Sequence, residues 1–146
     1  DKIKEQNMQI NRILQEFDDQ YHRYAVHIGI SEPALWVLYS LYAENSICTQ
    51  NTLAQAWSCP KQTINFAISG LVKKGLVELS PIPSARNSKS VHLTEEGKAF
   101  CTEKLSPLLA AEEQSLLRMQ EDERALLLTL LEKQKDLFTE EVEQYL

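Results

Sequence analysis

The segment Trp57-Ser58-Cys59-Pro60 fixes the middle of this chain. Proline has no backbone N–H and locks φ, so it fits the first position of a helix and little else in one. A helix therefore begins at Pro60, and whatever precedes it must end. Beyond the proline, Ile64, Ala67, Ile68 and Leu71 recur at i, i+3, i+4 and i+7, which is one apolar stripe. Gln62, Asn65, Ser69 and Lys73 are left on other faces, and Gly75 predicts a left-handed stop. Upstream, Leu53, Ala54 and Trp57 supply the buried face of a shorter helix capped by Thr49. Two short helices joined across Ser58 to Pro60 cannot lie flat together, and the pair reads as a helix-turn-helix.

A hairpin follows. Leu76 to Leu79 and Val91 to Leu93 read as strands around a turn-rich segment from Ser80 to Ser90. Pro81 and Pro83 lack ladder donors and keep this hairpin at a sheet edge. Its loop carries Arg86 and Lys89 and no acid. A helix bearing amides and a protruding basic loop suit a duplex. The helix would enter a major groove, where Gln and Asn can bond adenine in bidentate fashion, and an arginine would enter the narrow minor groove beside it. The expected phosphate contacts are Lys61, Lys73 and Lys89, and the expected base-edge readers are Gln62, Thr63 and Asn65. Phe66 could meet a thymine methyl or pad the neighbouring helix. Ser69, Arg86, Asn87 and Ser88 complete the expected interface.

Helix-turn-helix, the phrase LVKKGLVEL, a polar wing with Arg86 and the closing VHLTEEGKAF together resemble the winged-helix transcription regulators of the MarR family. The resemblance extends over nearly the whole chain. It implies a mainly α fold with a small β-hairpin wing, in which residues 31–98 form the winged helix-turn-helix and residues 1–30 and 99–146 form dimerisation helices. It also implies a homodimer on double-stranded DNA, commonly a repressor released by a small aromatic effector. Family wings commonly place an Asp two positions before the arginine, and Ser84 stands there in this chain.

The net charge of −6 is compatible with this because of how it is distributed. From Trp57 to Lys98 six cations face three anions, a surplus of three, so the remainder carries −9. A basic module in an acidic frame meets phosphate with one face and repels it elsewhere. No apolar run approaches the ~20 residues that span a bilayer, and the first residues do not read as a signal peptide, so the expected location is the cytoplasm.

The flanks read as helices. Ile3, Ile10, Leu14, Phe17, Tyr21, Tyr24 and Ile28 keep a 3.5-residue beat broken at Asn7, long enough to suggest a second subunit as the partner. Gly29 ends that helix and Ser31-Glu32-Pro33 starts the next, which should bury Leu35, Val37, Leu38 and Leu41. Thr94 caps a helix expected to kink at Pro107. A last helix starts in the acidic segment Gln120 to Glu123 and carries more leucine than one small domain can bury.

Catalysis has no support: GxSxG, P-loop, dinucleotide and HExxH patterns are all missing. No cofactor and no metal site is expected, since His22 and His27 lie about 140° apart around a helix. Cys48, Cys59 and Cys101 form no CxxC pair and read as small buried hydrophobes. Tyr21, His22, Tyr24, His27, Trp36 and Tyr39 could wall an effector pocket or serve as amphipathic core and rim. Two other classes of function fit the same residues: a redox- or metal-responsive regulator, and a winged protein-interaction module without DNA.

Overall fold

The computed structural model describes residues 1–44, 48–83 and 88–146. The chain runs α1 (Lys2–His27), α2 (Glu32–Ala43), β1 (Cys48–Thr49), α3 (Gln50–Ala56), α4 (Lys61–Lys73), β2 (Val77–Pro81), β3 (Lys89–Leu93), α5 (Glu95–Phe100), a π-helical turn (Cys101–Leu105), α6 (Ser106–Leu117) and α7 (Glu121–Glu143). It divides into two compact units, Asp1–Ser106 and Pro107–Leu146.

In the first unit three helices close with the same device. At each end one residue turns left-handed and the next N–H reaches back five residues. Gly29 (φ 80°) does this for α1 and Gly75 (φ 77°) for α4, as the glycines led one to expect. Ser58 (φ 50°) does it for α3, with the Cys59 N–H donating to the Ala54 carbonyl at 3.0 Å. A serine pays a steric cost there that glycine would not. Pro60 stands one place earlier than expected: it is the residue before α4, extended (φ −57°, ψ 141°), and its carbonyl accepts from Thr63 and Ile64. Its missing N–H is harmless at either position.

The core of this unit lies between α2, α3, α4 and the sheet. Leu35, Val37, Leu38, Leu53, Ile64, Ile68, Leu71, Val77 and Val91 are all buried, each such side chain worth roughly 1.5–3 kcal/mol of transfer free energy. Leu41, in the last turn of α2, and Trp57, the C-cap of α3, are only half-buried. The sheet has three strands, in the order β1-β3-β2, all antiparallel. Sequence reading missed β1, whose two residues are too few to show alternation. Both hairpin strands also run further than expected, to a Pro81–Lys89 pair.

The Leu-Thr-Glu-Glu-Gly exit from the wing has a physical origin. Thr94 donates its hydroxyl to the Gly75 carbonyl at 2.5 Å, and the same oxygen accepts from the Gly97 N–H at 3.0 Å. Its own N–H bonds the Leu76 carbonyl. This draws α5 so close to the start of β2 that a Cβ on Gly97 would lie 1.9 Å from the Leu76 oxygen. At the far end of α4, Lys74 donates to the Gly29 carbonyl at 2.9 Å, pinning the helix to the α1–α2 turn.

Before Pro107 the helix widens into a π-turn over Cys101–Leu105, which is how this chain accommodates the expected kink site. The carbonyls there find other donors: the Ser106 hydroxyl for Thr102 (2.6 Å) and the Tyr24 phenol for Lys104 (2.5 Å). Burial pushes the Cys101 thiol up to about 11.

In the second unit the turn between α6 and α7 is tied by Arg124, whose guanidinium donates to the carbonyls of Leu116 and Met119. Gln120 and Glu123 form the box that starts α7. No residue of α7 is buried, and Ala25 is the sole buried residue of α1. Among the described residues no helix is long and apolar enough to cross a membrane.

Candidate nucleic-acid interface

The outward line of α4 is built by helical spacing. Gln62, Phe66, Ser69 and Lys73 fall at i, i+4, i+7 and i+11, opposite the stripe of Ile64, Ala67, Ile68 and Leu71, and all four are exposed. Phe66 is 83% exposed, so it does not pad a neighbouring helix. An aromatic ring thus stands in water at the centre of an otherwise polar line.

Thr63 and Asn65 lie on the flanks and are half-buried. They do not stand equal to Gln62. The Asn65 Oδ1 is buried without a hydrogen-bond partner. Bidentate bonding to adenine needs both the carbonyl oxygen and the amino group of an amide, so Asn65 in this orientation can offer only its amino group. Gln62 is exposed and keeps both.

Lys61, Ser88 and Lys89 converge. They line one small polar cleft with Thr49, Gln50 and Asn51, joining the start of α4, the start of β3 and the beginning of α3. Gln50 and Asn51 are the residues sequence reasoning missed, since only the fold brings the head of α3 beside the wing. The base of the wing is fastened by Ser90, whose hydroxyl lies 2.7 Å from the His92 Nε2 and 3.3 Å from the Ser80 carbonyl. Arg86 and Asn87 lie outside the described residues, as does Ser84.

The six residues expected around an effector are split. Tyr21, Trp36 and Tyr39 pack with Trp57, with ring centroids 4.6 Å (Tyr21–Trp36), 4.3 Å (Trp36–Trp57) and 5.5 Å (Trp36–Tyr39) apart. The Trp57 indole N–H donates to Ser40 at 2.6 Å. These rings fill their space with one another and tie α1, α2 and α3 together. Tyr24 and His27 line a separate open groove with Gln20 and Arg23, of about 350 Å³. His22 is exposed. No three His, Cys, Asp or Glu side chains among the described residues are grouped to hold a metal ion. Cys48 and Cys101 are buried and Cys59 is half-buried.

Residues 28–86 match the MarR family model. That match spans the turn at Gly29, the helix-turn-helix and the first arm of the wing, the same elements that carry the geometry above. Over those residues the chain is similar to the MarR family. Among solved structures it is similar to NMB1585, a MarR family regulator from Neisseria meningitidis (20% identity, 100% of this chain and 99% of that one, TM-score 0.79). It is also similar to Staphylococcus aureus MepR in a complex with DNA (20%, 90% and 96%, 0.72). A third is a probable transcriptional regulator from Pseudomonas aeruginosa (26%, 86% and 96%, 0.65). No curated protein matches the chain in sequence.

Proposed function

We propose that this chain belongs to the MarR family and acts in the cytoplasm as a homodimeric repressor on a pseudo-palindromic operator, each subunit placing α4 in a major groove and its wing in the flanking minor groove. The observation that carries this reading is the outward line of α4, with Gln62, Phe66, Ser69 and Lys73 exposed together and Phe66 bare at its centre. Gln62 reads adenine, Phe66 meets a thymine methyl, Asn65 donates its amino group, and Lys61, Lys73 and Lys89 meet phosphate. Residues 31–98 then serve as the DNA-binding part and residues 1–30 and 99–146 as the dimerisation part. The apolar residues left bare on α1 (Ile3, Met8, Ile13, Leu14, Phe17) and on α7 (Leu126 to Leu128, Leu130, Leu131, Leu137, Phe138) support a second copy as their cover.

Gln62→Ala and Lys73→Ala test the reading as a pair. On a salt series with operator and random duplex, Gln62→Ala removes about 1–3 kcal/mol of discrimination and leaves the salt slope alone. Lys73→Ala weakens both duplexes alike and flattens the slope by about one unit per subunit. A Gln62 variant with unaltered preference takes that residue out of the base-reading set.

The open groove of Tyr24, His27, Gln20 and Arg23 supports an aromatic acid as effector, with Arg23 for its carboxylate. Such a ligand lowers operator affinity only if it binds the DNA-incompetent state more tightly, and the operator then lowers ligand affinity by the same factor. Titration followed by Trp36 and Trp57 fluorescence, with and without operator, measures both halves. Binding indifferent to the operator marks a passive groove.

A further inference from the structure

The cleft of Thr49, Gln50, Asn51, Lys61, Ser88 and Lys89 has an unusual charge make-up. Two lysines from different elements line it, and no carboxylate does. Among the described residues neither ammonium takes part in an ion pair, although anions outnumber cations in this chain. Two like charges on one small cleft repel unless something negative lies between them. The opening is about 20 Å³, room for one oxygen-sized group. The groups around it are neutral donors: the amides of Gln50 and Asn51 and the hydroxyl of Ser88. The start of α3 is not itself vacant, because Thr49 and Thr52 bond one another's N–H groups across the cap.

We propose that this cleft clamps a single phosphate of the DNA backbone, shared by Lys61 of the recognition helix and Lys89 of the wing and completed by Asn51 and Gln50. The inference rests on the DNA-binding reading above and adds to it a contact by α3 and a fixed link between helix and wing. One phosphate held by two elements sets the depth of α4 and the approach of the wing together. Asn51 and Gln50 act as positioning contacts that carry no sequence information.

The sharing has a measurable signature. The salt slope counts phosphates neutralised, about 0.9 for each. If Lys61 and Lys89 hold the same phosphate, either lysine alone still neutralises it, so Lys61→Ala with Lys89→Ala flattens the slope by about 0.9 per subunit and each change alone by less. Separate phosphates give about 0.9 per subunit for each change and about 1.8 for both. Asn51→Ala costs about fivefold in affinity on operator and random duplex alike, the worth of one neutral hydrogen bond, with the slope unchanged.

The experiment is a scan of operator duplexes, each carrying one neutral methylphosphonate, against the unaltered dimer and the Lys61→Ala, Lys89→Ala and Asn51→Ala variants at several salt concentrations. The proposal expects one backbone position in each half-site where the substitution weakens the unaltered protein and the Asn51→Ala variant alike, and weakens the Lys61→Ala and Lys89→Ala variants less, both at that same position. A doubled slope change, or Lys61→Ala and Lys89→Ala blunting the effect at different positions, overturns the shared clamp while leaving DNA binding intact. A protein that binds no duplex at low salt overturns the DNA reading itself, and the clamp with it.

Discussion

Gly97 and Ser58 show the backbone constraint from opposite sides. Alanine is a better helix former than glycine by about 1 kcal/mol, yet Gly97→Ala would put a methyl group 1.9 Å from the Leu76 carbonyl, an atom of backbone that cannot swing away. Unfolding free energies should show a loss of about 2–3 kcal/mol, and an unchanged value would mean that α5 and β2 are not so close. Ser58 turns left-handed without the excuse of lacking a Cβ, so Ser58→Gly should stabilise by roughly 1 kcal/mol in the same assay. Glu32 gives a prediction in pH. Burial holds its carboxyl above the ordinary 4.5, followed by the hydrogen bond and charge of Asp18, with Asp19 adding and His22 opposing. A folded value above the unfolded one means a contribution that is full in acid and lost as pH rises through the raised value. Glu32→Gln should therefore gain on the parent protein as the pH is raised from about 4 to about 7 and converge with it in acid. A constant difference across that range would locate the effect in packing rather than charge.

At the scale of elements, what was legible in the sequence is what backbone chemistry dictates. Gly29, Gly75, Ser31, Thr49 and Thr94 mark helix ends because left-handed stops and side-chain caps leave few alternatives, and each sits where it was placed. The stripe of α4 was legible for the same reason: period and burial agree over four residues. What was not legible required two elements at once. β1 exists only because β3 pairs with it, the left-handed Ser58 only because the turn to Pro60 demands it, and Gln50 and Asn51 join Lys61 and Lys89 only through the fold. The inward oxygen of Asn65 likewise depends on its surroundings in the fold, which helical spacing cannot supply. The aromatic residues read as pocket or packing, with packing the favoured reading, and four of the rings, Trp57 among them, pack together. For the wing, Arg86→Ala should weaken binding by about 1–3 kcal/mol, most at operators with A/T flanks, because a minor-groove arginine responds to groove width. Equal losses at all flanks would remove Arg86 from the minor groove, and no loss would leave it in solvent, beside a Ser84 that has no carboxylate to orient it.

For the whole molecule, the bare leucines of α7 and the bare beat of α1 are the part of the chain a monomer leaves unexplained. Leu130 and Leu137 are each 51% exposed, so Leu130→Glu with Leu137→Glu should cost the single chain little while halving the mass seen in sedimentation. An unchanged dimer would place the interface elsewhere. The acidic frame around a basic centre belongs to the same account, since one face is to meet phosphate and the rest to stay clear of it. Selection of bound sequences from a random duplex pool bears on this account most directly. Two α4 helices related by a two-fold axis predict an enriched site with two inverted half-sites about 10 base pairs apart, holding two chains per duplex. Enrichment of a single asymmetric half-site, or of no sequence at all, would contradict it.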